Sequence, residues 1–489
     1  MKSKTFWLLL TIIIIASFLR LYQLKTVPPG LYPDEAMNGN NALEALRTNQ
    51  FKVFYPENNG REGLLINIQA LFLNFFGTNK PWILRLPSAI FGILTVLGIY
   101  FLATELFSSS TVGLLSAFLL ATSFWHINFS RIGFRAILAP FFLVWALYLL
   151  LKAVRGLNLK NCALFSAAGG ALYGLGFYTY ISYRTTPLLL VLLIPFFRKE
   201  KNFWRAVSVF LITTFIVALP IGIYFLKNPA DFLGRTSQIS IFSSPSPLKS
   251  LGLNVLKTAG MFNVRGDYNW RHNISGRPEL FWPVGILFLI GVFAGAKKLI
   301  KGFKDGIITG GAKDFNFSIS LSFLLLILAA LPVVISNESI PHALRSILMI
   351  PPVFILAALG GVWLYKFLMK YNWQFLLKTV AVIFFLLVAL EAYNDYFIVW
   401  AQNPNTRDAF SSDYVAIGRE INALPANVPK YVIVEAPGVL VHDIPMPAQT
   451  VMFITDTYLS QGQIAKNVHY VLPQDEKNIP EDALKFYVR

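Results

Sequence analysis

The sequence predicts an all-α polytopic membrane protein of about eleven transmembrane helices. Helices lying on the membrane surface are expected in its first outward loop, and a small α/β region in its C-terminal part. Three observations predict this. Of the 489 residues, 55% are hydrophobic and only 14% charged, and mean hydropathy is +0.56, more apolar surface than a soluble domain can hide. Apolar runs near the ~20 residues that a crossing helix needs recur along most of the chain. Lys and Arg, which give a net charge of +17, gather in short loops between those runs. That is the positive-inside pattern, and not the single basic face that nucleic acid would need.

The apolar runs are 6–24, 83–105, 111–128, 136–151, 161–181, 185–197, 206–226, 280–297, 317–336, 345–366 and 374–393. The run 185–197 is short and carries Pro187 and Pro195. The start, Met1-Lys-Ser-Lys4 before an apolar stretch, resembles a signal peptide, but no small-x-small cleavage site follows, so it reads as a retained first helix. Threading from a cytoplasmic Lys2 and Lys4 puts every strongly basic loop on the inside. Those loops hold Lys152, Arg155 and Lys160; Arg198, Lys199, Lys201 and Arg205; Lys297, Lys298, Lys301, Lys304 and Lys313; and Lys366 and Lys370.

Outward segments are then 25–82, 129–135, 182–184, 227–279, 337–344 and the tail from 394. The first has two amphipathic stretches, 34–48 and 62–76, expected to lie along the membrane. In the tail, Tyr431–Glu435 and Thr450–Ile454 read as strands and Ser411–Leu424 as an amphipathic helix. The expected division is a membrane domain over 1–400 and a small extracytoplasmic α/β region over 401–489. Cys162 is the only cysteine, which rules out a disulfide within the chain and a thiolate metal cluster.

No Asp, Glu, Lys or Arg lies near the middle of a predicted span; Arg20, Arg85, Lys378 and Glu391 sit near ends. Ion-coupled transport usually needs such groups, so the pattern argues against it. The polar chemistry lies in the outward loops. In Leu31-Tyr-Pro-Asp34-Glu35-Ala-Met-Asn38 two carboxylates are adjacent. Adjacent side chains diverge, so if one acts as a base on a substrate hydroxyl, the other braces the loop or meets the acceptor. The alternative is that Asp34 caps the helix that follows. Arg61-Glu62, Arg131 with Arg135, Tyr183-Arg184, and His342 with Arg345 in Pro341-His-Ala-Leu-Arg345 all fall at the outer boundary. Snorkelling explains any one of them. Several together, against the inside bias, suit a phosphate that guanidinium groups can grip in pairs.

No Gly-rich phosphate loop follows a strand. His126, His272, His342, His442 and His469 lack metal-ligand spacing, so no zinc site is expected.

Taken in order, the segments Pro33-Asp34-Glu35-Ala36, Gly60-Arg-Glu-Gly-Leu64, Leu84-Arg-Leu-Pro-Ser88, Ala121-Thr-Ser-Phe-Trp-His126, Phe129-Ser-Arg131 and Pro341-His-Ala-Leu-Arg345 form a pattern. It resembles the bacterial branch of the polytopic GT-C glycosyltransferases, of the protein O-mannosyltransferase and aminoarabinose-transferase type. The resemblance covers about residues 5–400 and is strongest over 27–150. It implies transfer of a sugar from a polyprenyl-phosphate donor to an acceptor protein, lipid or glycan, with inversion at C1, at the outer face of the cell membrane. On that pattern Asp34 is the general base and Glu35 supports it. Arg61, Arg131, Arg135, Arg184, His342 and Arg345 are the candidates to hold the donor phosphate, and Glu62 and Tyr183 to position substrate. No cofactor is implied. A leaving group surrounded by cations needs no metal, though a divalent ion is left open.

Two departures stand out. Some relatives carry Lys-Pro-Pro where this chain has Gly60-Arg61-Glu62-Gly63, and others an acid soon after Ser-Arg, where Ile132–Ala136 offers none. Another class of function stays open: a flippase or transporter of lipid-linked sugars, whose empty span interiors would still permit passive lipid movement. A noncatalytic membrane scaffold is a third.

Overall fold

The computed structural model describes residues 3–156, 158–197, 200–238, 240–243, 245–304, 315–371 and 374–489. Lys2, Arg198, Lys199 and Lys313 of the predicted inside loops lie outside them. Among the described residues, eight helices are long and apolar enough to cross a membrane: Ser3–Leu21, Pro81–Phe107, Arg135–Arg155, Phe203–Lys227, Trp282–Gly302, Phe315–Val334, Ile347–Tyr371 and Gln374–Trp400. A ninth forms if Ser110–Ala121 and Phe124–Arg131, bent by 60° at their junction, make one span. The runs 161–181 and 185–197 are helical too, as Leu159–Gly176 and Pro187–Phe197, but fall outside the count. The first opens on Lys160 and Asn161 and is rich in glycine; the second has 11 residues. The two are consecutive, so leaving both out preserves the odd number of predicted spans when the bent pair is taken as one span.

By its contacts the chain forms two compact units. One comprises Met1–Tyr22, Ile90–Ser130 and Ala136–Tyr396; the other comprises Gln23–Ala89, Arg131–Arg135 and Phe397–Arg489.

Glycine lets two spans of the first unit approach closely. A Cβ on Gly291 would lie 1.9 Å from the Leu356 carbonyl oxygen, and one on Gly360 would lie 1.9 Å from that of Leu287. In lipid, where apolar burial gives helices no reason to associate, such small-residue contacts supply the packing. The bend near Thr122 has a separate cause. Breaking a helix frees carbonyls that hydrocarbon cannot satisfy. Here the fully buried Arg20 donates to the carbonyl oxygens of Ala121 at 2.9 Å and Leu120 at 3.3 Å, with Nη2 2.7 Å from His126 Nδ1. Its positive charge also faces the negative end of the helix Ser110–Ala121. Arg20→Met is expected to strand the Ala121 carbonyl, because that of Leu120 also accepts from the Ser123 N–H, and to cost about 1–3 kcal/mol, read as a fall in Tm of the protein in detergent micelles. An unchanged Tm would refute this capping role.

In the second unit the helix Pro33–Thr48 is buried on nearly all sides. Met37 joins the core of the C-terminal residues, with Ile421, Val432, Val451, Val468 and Val488. Ala36, Ala42 and Leu43 join a second core with Ile66, Leu84 and Phe453. Thr450 donates to the Leu31 carbonyl at 2.9 Å, and Asn40 to Gln449 Oε1 at 2.9 Å. The C-terminal region thus completes its core with the helix Pro33–Thr48.

A parallel sheet in the order Val468–Val471, Lys430–Val434, Leu484–Val488 makes the region α/β. The strand predicted near 431–435 and the helix predicted near 411–424 are both present, the latter as Ser412–Ala423. The run 450–454 differs: it lies in the helix Ala448–Thr455. Its residues are buried around the whole circumference, and a short run of that kind carries no periodicity to tell helix from strand. The stretches 34–48 and 62–76 are helical as expected, the second as Leu64–Phe76, whose 13 residues are too few to span.

Candidate active site

Tyr32 is extended and Pro33 occupies the first turn of the helix Pro33–Thr48, a position where a missing N–H costs nothing. Asp34 and Glu35 follow in that turn, where the helix dipole favours negative charge. As their adjacency requires, they diverge.

Glu35 is wholly buried and fully engaged. Arg85, also buried, donates Nε to its Oε2 at 2.9 Å and Nη2 to its Oε1 at 3.0 Å, a bidentate pair. The Gly133 N–H donates to Oε2 at 2.7 Å. The same guanidinium donates to the carbonyl oxygens of Pro28 at 2.7 Å and Gly30 at 2.8 Å. One ion pair therefore fastens residues 28–30, the helix start and residue 133 to the span that begins at Pro81. Nothing in the sequence marks Arg85 beyond its place in Leu84-Arg-Leu-Pro-Ser88 at the start of a span.

Asp34 is only half-buried. Its Oδ1 accepts from Asn58 Nδ2 at 2.8 Å, and its Oδ2 makes no hydrogen bond among the described residues. It bonds a side chain and not the helix N–H groups, so the capping alternative is not what the side chain does. Asn58 sits at the tip of a hairpin in which Phe54–Tyr55 pairs with Arg61–Glu62. Asn58, Asn59 and Gly60 all have positive φ, at 53°, 63° and 80°. Only glycine suits the last, because a Cβ there would lie 2.5 Å from the Phe54 ring. This tight return aims Asn58 at Asp34 and sets Arg61 and Glu62 side by side.

Arg61 is 2% exposed and is held mainly by neutral groups: Nη1 donates to Asn38 Oδ1 at 2.8 Å and Nη2 to Asn41 Oδ1 at 2.5 Å. Burial, with the like charge of Arg135, pulls its pKa down to about 10, against the opposing pull of Asp34 and Glu57. It stays cationic at neutral pH and holds positive charge near the free carboxylate. Arg135 pairs with Glu62, Nε to Oε2 at 2.8 Å. Arg131 donates to the Val27 carbonyl at 2.9 Å and lies 4.9 Å from the Phe397 ring centre. Asp34, Glu35, Arg61, Glu62, Arg131 and Arg135 thus share one unit. The arrangement places an available carboxylate oxygen within electrostatic reach of Arg61, which in turn lies within reach of Arg135. It can accept a proton and steady an anion.

The other predicted residues belong to the first unit. Tyr183 is fully buried, its ring centre 5.5 Å from that of Tyr173 and 5.4 Å from that of Phe177. Arg184 donates to the Phe232 carbonyl at 2.9 Å and lies over the Phe225 and Phe232 rings. Arg345 pairs with Glu338 at 2.5 Å and contacts the Ser336 hydroxyl.

His342 meets two residues that were not singled out. Asp267 Oδ2 lies 2.9 Å from His272 Nδ1 and 3.7 Å from His342 Nδ1. Burial lowers the pKa of both histidines, and they are neutral at physiological pH. Burial alone would raise the Asp267 pKa, but the hydrogen bonds from His272 and the Asn269 N–H help to leave it below its ordinary value. Among the described residues, these three form the group that could hold a metal. Spacing along the chain could not reveal them, because 70 residues separate His272 from His342.

Residues 64–224 match the family model described as dolichyl-phosphate-mannose-protein mannosyltransferase. Among curated protein sequences nothing matches the chain. Solved structures match almost its full length. ArnT from Cupriavidus metallidurans bound to undecaprenyl phosphate has a TM-score of 0.57 at 13% identity, over 99% of this chain and 90% of that one. The chain shares the fold of that protein. The oligosaccharyltransferase of Archaeoglobus fulgidus in the apo form also has a TM-score of 0.57 at 13% identity, over 98% of this chain and 66% of that chain. The archaeal AglB from the same organism, in complex with an inhibitory peptide and a dolichol-phosphate, has a TM-score of 0.55 at 13% identity, over 96% of this chain and 64% of that chain. The chain therefore spans slightly less than two thirds of the archaeal protein's length. At such identities the likeness is one of fold, and it bears out the polytopic architecture expected from the sequence.

Proposed function

We propose that the protein is a glycosyltransferase that moves a sugar from a polyprenyl-phosphate donor to an acceptor hydroxyl, with inversion, at the outer face of the cell membrane. The N-terminus is cytoplasmic in this reading, and residues 401–489 are extracytoplasmic. One observation carries it: Asp34 has one carboxylate oxygen fixed by Asn58 and the other open, in the unit that also holds Arg61, Arg131 and Arg135. The matched mannosyltransferase family and the GT-C fold support the reaction class.

In the proposed step Asp34 Oδ2 takes the acceptor's hydroxyl proton as the acceptor oxygen bonds to C1. The bond from C1 to the phosphate oxygen breaks, and its electron pair leaves with the polyprenyl phosphate. The arginines stabilise the charge that gathers on that phosphate, where fixed donors in a water-poor site act most strongly. Glu35 is the brace: bound to Arg85 and to Gly133, it holds the helix start that presents Asp34.

The test uses purified protein in liposomes that contain polyprenyl-phosphate sugars with different head groups, together with protein, lipid and glycan acceptors. Release of polyprenyl phosphate, matched by glycosylated acceptor in mass spectrometry, is the expected result. Movement of the donor between leaflets without either product would overturn the proposal and favour a lipid flippase.

A further inference from the structure

Asp267 and His272 stand in the outward segment between the spans Phe203–Lys227 and Trp282–Gly302, and His342 in the next, before Ile347–Tyr371. The three side chains converge from these separate segments, and one ligand atom from each lies within 4.8 Å of the others. We propose that Asp267, His272 and His342 bind one divalent transition-metal ion, with zinc the best fit, as a clasp between these two extramembrane segments. The inference is independent of the glycosyltransferase reading and assigns the ion no part in sugar transfer.

The spacing suits the ion. A tetrahedral zinc with bonds of about 2.0–2.2 Å sets its ligand atoms roughly 3.3 Å apart. The two separations from Asp267 Oδ2, 2.9 and 3.7 Å, bracket that value. The remaining separation, between the two imidazole nitrogens, is bounded at 4.8 Å, so the rings draw toward each other as an ion binds. Two imidazole nitrogens and one carboxylate oxygen favour zinc, cobalt or nickel over magnesium or calcium, which prefer oxygen donors. Three protein ligands leave a fourth position for water.

The carboxylate is supported as a metal ligand should be. Asp267 Oδ2 also accepts from the Ala343 N–H at 2.8 Å and Oδ1 from the Asn269 N–H at 2.8 Å. These bonds fix its direction and still leave lone pairs. The opposing charge nearby is partly balanced, since Arg345 is paired with Glu338. Glu279, whose Oε1 accepts from the Asp267 N–H at 3.0 Å, anchors the same loop.

The experiment uses the untagged full-length protein in detergent, stripped with chelator and titrated with zinc chloride and, separately, cobalt chloride. The wild type should retain one zinc per chain by elemental analysis and show the visible absorption of low-coordinate cobalt(II). Its Tm should rise by about 2–5 °C at saturating zinc. His272→Gln with His342→Ala should lose all three signals, whereas His442→Ala with His469→Ala, at exposed positions, should keep them. His342→Cys guards against mere misfolding: it should still bind cobalt and add a thiolate-to-metal absorption band. Substoichiometric zinc in the wild type, or binding unaffected by loss of both histidines, would overturn the proposal.

Discussion

Asp34→Asn is expected to lower turnover by about 10²–10⁴-fold, the contribution typical of a general base, while binding of the polyprenyl-phosphate donor stays near wild type. The substitution keeps size and shape. An asparagine oxygen at this position can still accept from Asn58 Nδ2, the one hydrogen bond that Asp34 makes among the described residues. What disappears is the proton acceptor and its negative charge. Loss of that charge beside Arg61 should if anything help an anionic donor bind, because Asp34 acts electrostatically on that guanidinium. The expected kinetic signature is thus a fallen kcat with an unchanged or lower donor KM, as for an interaction made chiefly in the transition state. Stability should change little, since the side chain is half-exposed and keeps its hydrogen bond. Full turnover in Asp34→Asn would remove Asp34 as the base. A fall in kcat matched by loss of donor binding and of Tm would reduce it to a structural group.

Much of this architecture is legible in the sequence because apolar length and basic loops report directly on a membrane. The helical character of 34–48 and 64–76 follows from periodicity, but the first is buried on nearly all sides and does not lie along a membrane surface, because the C-terminal residues pack around it. Other features depend on distance along the chain. Glu35 could be read as a brace, but its partner lies fifty residues on, within the first turn of a span, where an arginine at a helix end looks like ordinary snorkelling. The role of Asn58 depends on three consecutive positive φ angles in a five-residue turn. His342 was singled out for phosphate, yet its nearest charged partner is Asp267, which no motif marks. In the tail, Thr450-Val-Met-Phe-Ile454 has the composition of a strand. The three-stranded sheet is completed instead by 468–471 and 484–488, and the run is buried as a helix.

Arg85→Met should produce the largest loss of stability among the substitutions considered. It leaves Glu35 wholly buried with its countercharge gone, and also strips donors from the Pro28 and Gly30 carbonyls. Removing one partner of a buried pair typically costs about 3–5 kcal/mol, a large share of the ~5–15 kcal/mol that holds a domain folded. The damage should be local. Residues 27–48, which Arg85 and Glu35 tie together, should exchange amide hydrogens faster, while the spans of the other unit keep their protection. Arg85→Lys should rescue only part of the loss, because a lysine carries no planar fork to meet both carboxylate oxygens and two carbonyls at once. Glu35→Gln combined with Arg85→Met removes both charges, so its penalty should fall short of the sum of the single ones. A variant Arg85→Met with wild-type Tm and unaltered exchange over 27–48 would show that the pair does not hold the helix start. The rigidity that presents Asp34 would then have to come from the hydrophobic contacts of Ala36 and Met37 alone.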